Sequence, residues 1–246
     1  MKRSILHAAT LATIGLCAIH QSVQAHGAWM SKIHGDYHVM WGHDPSKTES
    51  YNPADVLEAR AIKNGQTSTL QVNRAQKFAS VDAGDAGIVA ATMGGGCSTK
   101  TADGKYHRLP KDEAAKLGEV QTSAFRTRYV VAYANNREEP KLMGYDLELL
   151  PESNPARLKK GEKISVQVLF KGKPLADATI NDNFLSQPRQ MVKTDAQGKA
   201  TLTVANYGHN TWSVSHSIPY ADPSKADTTS YTTNVSFMVP GAESAH

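Results

Sequence analysis

Cysteine is nearly missing from this chain. Its 246 residues include two, Cys17 and Cys97, and the first falls in a segment that reads as a cleavable leader. No intramolecular disulfide is then available, so the fold must stand on its apolar core. Cys97 reads by default as a buried, inert thiol, with a soft metal ligand or an intermolecular partner as the alternatives. Long apolar runs are equally scarce. The one candidate, "ILHAATLATIGLCAI" from Ile5 to Ile19, follows Lys2 and Arg3 and precedes "VQA" at Val23 to Ala25. Basic start, short apolar stretch and small residues at −3 and −1 describe a secretory signal peptide cut after Ala25, too short for a transmembrane helix. A periplasmic location is expected.

A dominant charge is missing too. The formal +4, less Lys2 and Arg3, leaves +2 from His26 onward, and the scattered Lys and Arg give no nucleic-acid footprint. Glycines 94 to 96 lack the Lys-Ser/Thr and helix start of a phosphate loop, and no paired-His helix motif or nucleophile setting occurs. The chain is therefore not expected to be an enzyme. Internal repeats, heptads and low-complexity tracts are also absent.

What is present is alternation. In "KISVQVLF", Ile164, Val166, Val168 and Phe170 fall on one face, the mark of a half-buried strand. "KGKPLADATI", "TDAQGKATLTV", "NTWSVSHS" and "SYTTNVSFMV" add turns and strands at short spacing. The reading is mainly β, in two β-rich domains, with residues 151–240 an antiparallel sandwich of the immunoglobulin or transthyretin kind. Residues 26–150 form the other domain. Its hairpins turn at His34-Gly35 and Asn64-Gly65, its strands are "GIVAATM" and "SAFRTRYVVAY", its flexible loop is Gly94 to Gly96, and a short helix runs from Pro110 to Gly118. Residues 1–25 are the signal peptide and 241–246 a tail.

The histidines carry the chemistry. Four of ten lie between Ser22 and Pro45. A two-residue turn at His34-Gly35 pairs Ile33 with Asp36, sets Ala28 opposite Trp41 and Met30 opposite Val39, and brings His26 opposite His43. Cross-strand partners hold their Cβ atoms ~4.5–5.5 Å apart, close enough for two imidazoles to share one ion. A turn shifted to Gly35-Asp36 sets His43 against Ala28 instead. By parity His38 points away from His43. After cleavage His26 offers an α-amine beside its imidazole, a nitrogen-rich set suited to Ni(II), Co(II), Cu(II) or Zn(II). His216 shares a face with Trp212 and Val214 and is a third ligand only if its strand end meets the first hairpin; His107 is a candidate lid ligand. His34, His209 and His246 read as exposed. Met30, Met40 and Met93 are explained by packing, and Asp44, Asp55 and Glu58 are candidate partners that orient imidazoles.

"AHGAWM", "MWGHDP", "YNPADVLEARA", "MGYDLELLPESNPARLKKGEKISVQVLFKGKPLADATI", "TWSVSHSIP" and "YTTNVSFMV" together resemble a bacterial periplasmic family of unknown function. That family is often labelled the periplasmic component of cobalt/nickel ABC-type transport. The likeness spans nearly all of the chain after the leader and is weakest between Gly94 and Glu119. It implies a two-part β-rich protein that takes up nickel or cobalt for a membrane transporter complex, with His26, His43 and His216 at the histidine-bearing motifs. Two other readings stand beside it. One is a copper protein with an N-terminal histidine chelate, as a carrier or an oxidative polysaccharide-cleaving enzyme. The other is a metal-free exported interaction module.

Overall fold

The computed structural model describes residues 27–44, 47–181 and 191–241. In chain order, β1 (Gly27–Ile33), β2 (Asp36–Asp44) and β3 (Lys47–Thr48) precede β4 (Val56–Lys63), β5 (Gln66–Leu70) and β6 (Ser80–Val81). Next come β7 (Ile88–Thr101), β8 (Tyr106–His107), helix α1 (Lys111–Ala114) and β9 (Val120–Tyr133). The second half holds β10 (Leu147–Pro151), β11 (Lys163–Phe170), β12 (Lys173–Pro174), β13 (Thr179–Asn181), β14 (Met191–Lys193), β15 (Lys199–Thr203), β16 (Gly208–Pro219) and β17 (Thr228–Val239). The protein is mainly β, as its alternating patterns predict.

Three sheets form three layers. The central one runs β14-β13-β16-β17-β9-β7-β4-β5, with β8 added at β7. A sheet of β1-β2-β3 with β6 covers one face, and a sheet of β10-β11-β12 with β15 covers the other. Strand β9 shows why both faces need a cover. Tyr129, Val131 and Tyr133 enter a core with Leu147, Val166 and Trp212, whereas Val130 and Ala132 enter a second core with Met30, Val39 and Val81. Strands apolar on both faces must be covered on both.

The central sheet runs across the sequence division at 150/151. β17 pairs with β9 in parallel, from Thr228↔Ala124 to Phe237↔Tyr133. Ile62 and Ile88 of the first segment share one core with Ile164, Leu202 and Phe237 of the second. The division at 150/151 falls inside β10 of the covering sheet, and the central sheet draws strands from both sides of it. β13, β14, β16 and β17 face β10, β11, β12 and β15 as a sandwich, and β9, β7, β4 and β5 extend one of its sheets.

The hairpin of β4 and β5 turns at Asn64-Gly65, where φ is 51° and 72°, the double left-handed geometry of a tight β-turn. Glu138, only 8% exposed, accepts from the backbone N–H groups of Asn64 and Gly65, the latter at 2.9 Å. Its side chain passes directly over Gly87, where a Cβ would meet Glu138 Cγ at 2.2 Å. Glu138→Ala is expected to lower unfolding free energy by about 1–2 kcal/mol, since the freed N–H groups lie at a turn that water can reach. Urea denaturation measures it; an unchanged midpoint would remove Glu138 from the account.

Two local expectations need correction. Gly94 to Gly96 are not a loop: β7 runs through them, and a bulge sits between Gly94 and Gly96 opposite β9. Gly94 has φ 118°, and a Cβ there would lie 2.5 Å from the Arg126 carbonyl oxygen. Gly94 lets the two strands come close beside an extra residue, which is a β-bulge. The helix expected over Pro110 to Gly118 is a single turn, Lys111–Ala114.

Candidate functional site

β1 and β2 meet in the register that the His34-Gly35 turn predicts. Ile33 pairs with Asp36, Met30 with Val39, Ala28 with Trp41 and Gly27 with Gly42. His34 and Gly35 both hold positive φ, 51° and 101°. Val39 and Met30 are buried against the central sheet, and His38, of opposite parity, pairs with Ser31 and Ser80. His26 lies outside the described residues.

Near the open end of the hairpin, β2 bends around a bulge between Gly42 and Asp44. Gly42 is required there, because φ is 149° and a Cβ would sit 2.2 Å from the Lys47 carbonyl oxygen. His43 lies in this bulge with Nε2 3.4 Å from Glu49 Oε1. Glu49 is held in turn by its N–H, which donates to the Trp41 carbonyl at 2.7 Å. The His43 side chain is 22% exposed and that of Glu49 46%, so an ion arriving from solvent reaches both.

The other expected ligands lie elsewhere. His216 pairs with Tyr231, and its ring meets Phe170 of β11 at 4.6 Å between centroids. It therefore occupies the face of the central sheet opposite the hairpin, and the sheet itself separates it from His43. Alternation correctly aligned His216 with Trp212 and Val214, but that face belongs to the other core. His107 sits on β8 beside Thr99, with Nε2 3.1 Å from Thr101 Oγ1. Thr99 is further along β7 than Met93, the residue beside Arg128, by ~20 Å at strand rise. Neither histidine is brought to His43.

Asp55 and Glu58 do not orient imidazoles. Asp55 takes Arg108 with both oxygens, at 2.6 Å each, and Glu58 accepts from Arg60 at 3.2 Å and Thr92 Oγ1 at 3.1 Å. Met30, Met40 and Met93 are core residues. Cys97 is half-buried, its Sγ 3.9 Å from the Lys225 carbonyl; burial, then Asp112 and Glu113, push its thiol pKa up, away from the thiolate a soft metal needs. Among the described residues, no three His, Cys, Asp or Glu side chains converge as a metal site. None of the described helices is long and apolar enough to cross a membrane.

Two features escaped the sequence reading. His209 is not an exposed turn residue: it lies on β16, hydrogen-bonded to the Met30 backbone, with its ring 6.3 Å from that of Trp29. Arg126 and Arg128 are the other feature. They lie one strand period apart on the same face of β9 as Val130, and the Arg128 guanidinium stacks on Trp41, 4.8 Å from the ring centroid. Burial first, then the neighbouring Arg126, lower its pKa to about 10. The spacing in "FRTRYV" gave the signal: two arginines on a face that is apolar one step further along.

No curated protein matches the chain. Residues 23–218 match the family described as "Domain of unknown function (DUF4198)", and the chain belongs to that family.

Proposed function

We propose that this is an exported metal-binding protein that captures Ni(II) or Co(II) for a membrane transporter, with its site at the open end of the first hairpin. His43 and Glu49 supply an imidazole and a carboxylate. After cleavage behind Ala25, His26 supplies its α-amine and a second imidazole. The hairpin register carries the reading: it ends at Gly27↔Gly42, with His43 and Glu49 beside that open end, and His26 is the next residue in sequence before Gly27. Such a nitrogen-rich set also takes Cu(II) strongly, so selectivity must come from geometry and supply rather than raw affinity.

Processed protein, with His26 as its true first residue, is expected to bind Ni(II) or Co(II) at least 100-fold more tightly than a version with one extra residue before His26. The extra residue turns the amine into an amide and removes a ligand. His43→Ala should weaken binding at least 10-fold. Calorimetric titration with Ni(II), Co(II), Cu(II) and Zn(II) measures both effects. Equal binding by processed and extended forms would sink the N-terminal chelate, and a strong preference for Cu(II) with no useful Ni(II) or Co(II) affinity would sink the nickel/cobalt assignment.

A further inference from the structure

Among the described residues, arginine side chains are otherwise well supplied with acceptors. Arg60 donates to the Met143 carbonyl and Glu58, Arg74 to the Val56 and Leu57 carbonyls, Arg108 to Asp55, and Arg157 to the Asn136 carbonyl and Glu139. Arg137 lies 3.8 Å from Asp85. Arg126 and Arg128 have no such side-chain partner, although they are neighbours on one sheet face. A guanidinium presents five donors in a fixed planar fork, and leaving them unmatched while partly desolvated is unfavourable.

Beside these two arginines runs a ladder of hydroxyls. Thr232 flanks Arg128 and Ser230 flanks Arg126; across β17, Ser215 pairs with Thr232 and Ser217 with Ser230. Paired residues share a face, and Ser215 Oγ lies 2.9 Å from Thr232 Oγ1. Higher on the same face Ser213 and Asn234 are buried. At the rows of Arg128 and Arg126 the surface opens, with Ser215 and Ser217 exposed and Ser230, Thr232 and both arginines half-buried. Trp41 closes one side of this surface by stacking on Arg128, two residues before His43 on β2.

We propose that Arg126, Arg128 and the adjoining hydroxyls form an anion subsite for a small hydroxycarboxylate, and that the metal arrives as its complex with such a ligand. The second clause rests on the metal-binding reading above; the first does not. A planar fork matches a carboxylate through two parallel bonds, and the hydroxyl ladder matches further oxygens on the same small molecule. Charge gives a second reason. Two neighbouring cations near His43, opposed at Arg128 only by the more distant field of Asp55, repel a bare dication and attract a complex of net negative charge. Coordination gives a third: His43 and Glu49, even with a chelating residue 26, leave positions on an octahedral ion that a hydroxycarboxylate can fill.

The test uses citrate as the probe, on processed protein, by calorimetry with and without equimolar nickel, and with inorganic phosphate in parallel. Citrate alone is expected to bind in the sub-millimolar range and at least 10-fold better than phosphate. Arg128→Gln and Arg126→Gln should each weaken it at least 10-fold, Arg128→Lys should restore part of it, and Arg137→Gln, far along the chain from this face, should bind as wild type does. Thermal melts check that each variant folds. Nickel presented as its citrate complex should bind at least as tightly as the aqua ion. Absence of citrate binding, or binding that both glutamine variants retain, overturns the subsite. Nickel that binds alone but is stripped away by citrate overturns delivery as a complex and leaves the metal reading intact. Citrate bound through the arginines without any nickel binding keeps the subsite and ends the metal reading.

Discussion

Trp212→Ala is expected to cost about 4 kcal/mol of unfolding free energy, the upper part of the range for an aromatic removed from a packed core. Trp212 is fully buried and packs on Phe237, with ring centroids 4.7 Å apart. Its core draws on both halves of the chain: Ile62, Ile88 and Tyr129 from one, Leu147, Val166 and Leu202 from the other. A cavity there should loosen both. Trp212→Phe should cost much less, about 1–2 kcal/mol, because the indole N–H has no acceptor among the described residues and its removal breaks no hydrogen bond there, so the loss is mainly volume. The remaining tryptophans, Trp29 and Trp41, lie on the hairpin that covers the other face. Their fluorescence in urea should follow the same transition as far-ultraviolet dichroism and move with it in the variant. Two separated transitions, with the hairpin signal unmoved by Trp212→Ala, would show instead that the two cores fold independently.

The hairpin was legible in the sequence because two constraints agree there. An exposed His-Gly pair selects a two-residue turn, and the inward faces of Ala28, Met30, Val39 and the part-buried Trp41 agree with it; a turn shifted by one residue would keep those faces, so the turn chemistry decides the register. The same logic recovered β4 with β5, and β11, β15, β16 and β17. What alternation cannot say is which of two covers a face receives. In "YVVAY" every residue from Tyr129 to Tyr133 is buried, a run apolar on both sides. The run signals a strand inside a stack, but not that odd positions meet β10 and β11 while even ones meet β1 and β2. His216 is the example: its face was legible, but whether that face meets the first hairpin was not, and it meets Phe170 of β11 instead. The parallel pairing of β17 with β9 joins segments about 100 residues apart and leaves no local trace, unlike a hairpin. Gly94 to Gly96 failed differently. Three glycines suggest freedom, yet they lie in a strand, and Gly94 serves close approach, with the Arg126 carbonyl where a Cβ would stand.

Acid is expected to destabilise the metal-free protein by about 3 kcal/mol between pH 6.5 and pH 4, and His209 is the residue responsible. Burial lowers its pKa from 6.5 to about 4, against a smaller opposing effect from its hydrogen bond to the Met30 backbone. Its ring neighbours are neutral: Trp29 meets the ring edge-on, and Thr211 Oγ1 lies 3.4 Å from Nδ1. Between these two pKa values the unfolded chain binds a proton that the folded one refuses. Stability therefore rises with pH through this window, is fully present above about 6.5, and is lost as pH falls towards 4, at ~1.4 kcal/mol per pH unit. Asp85, Asp112 and Asp227 have pKa values lowered by their lysine partners, so their losses come at still lower pH. Glu148 runs the other way: its pKa is raised by burial, and protonation there favours the folded state. The difference between wild type and His209→Leu isolates the histidine from all four carboxylates. Urea melts at half-unit pH intervals should give a variant whose stability is nearly flat from pH 6.5 to 4.5 while that of the wild type falls, and parallel curves would mean that His209 takes its proton inside the fold without cost.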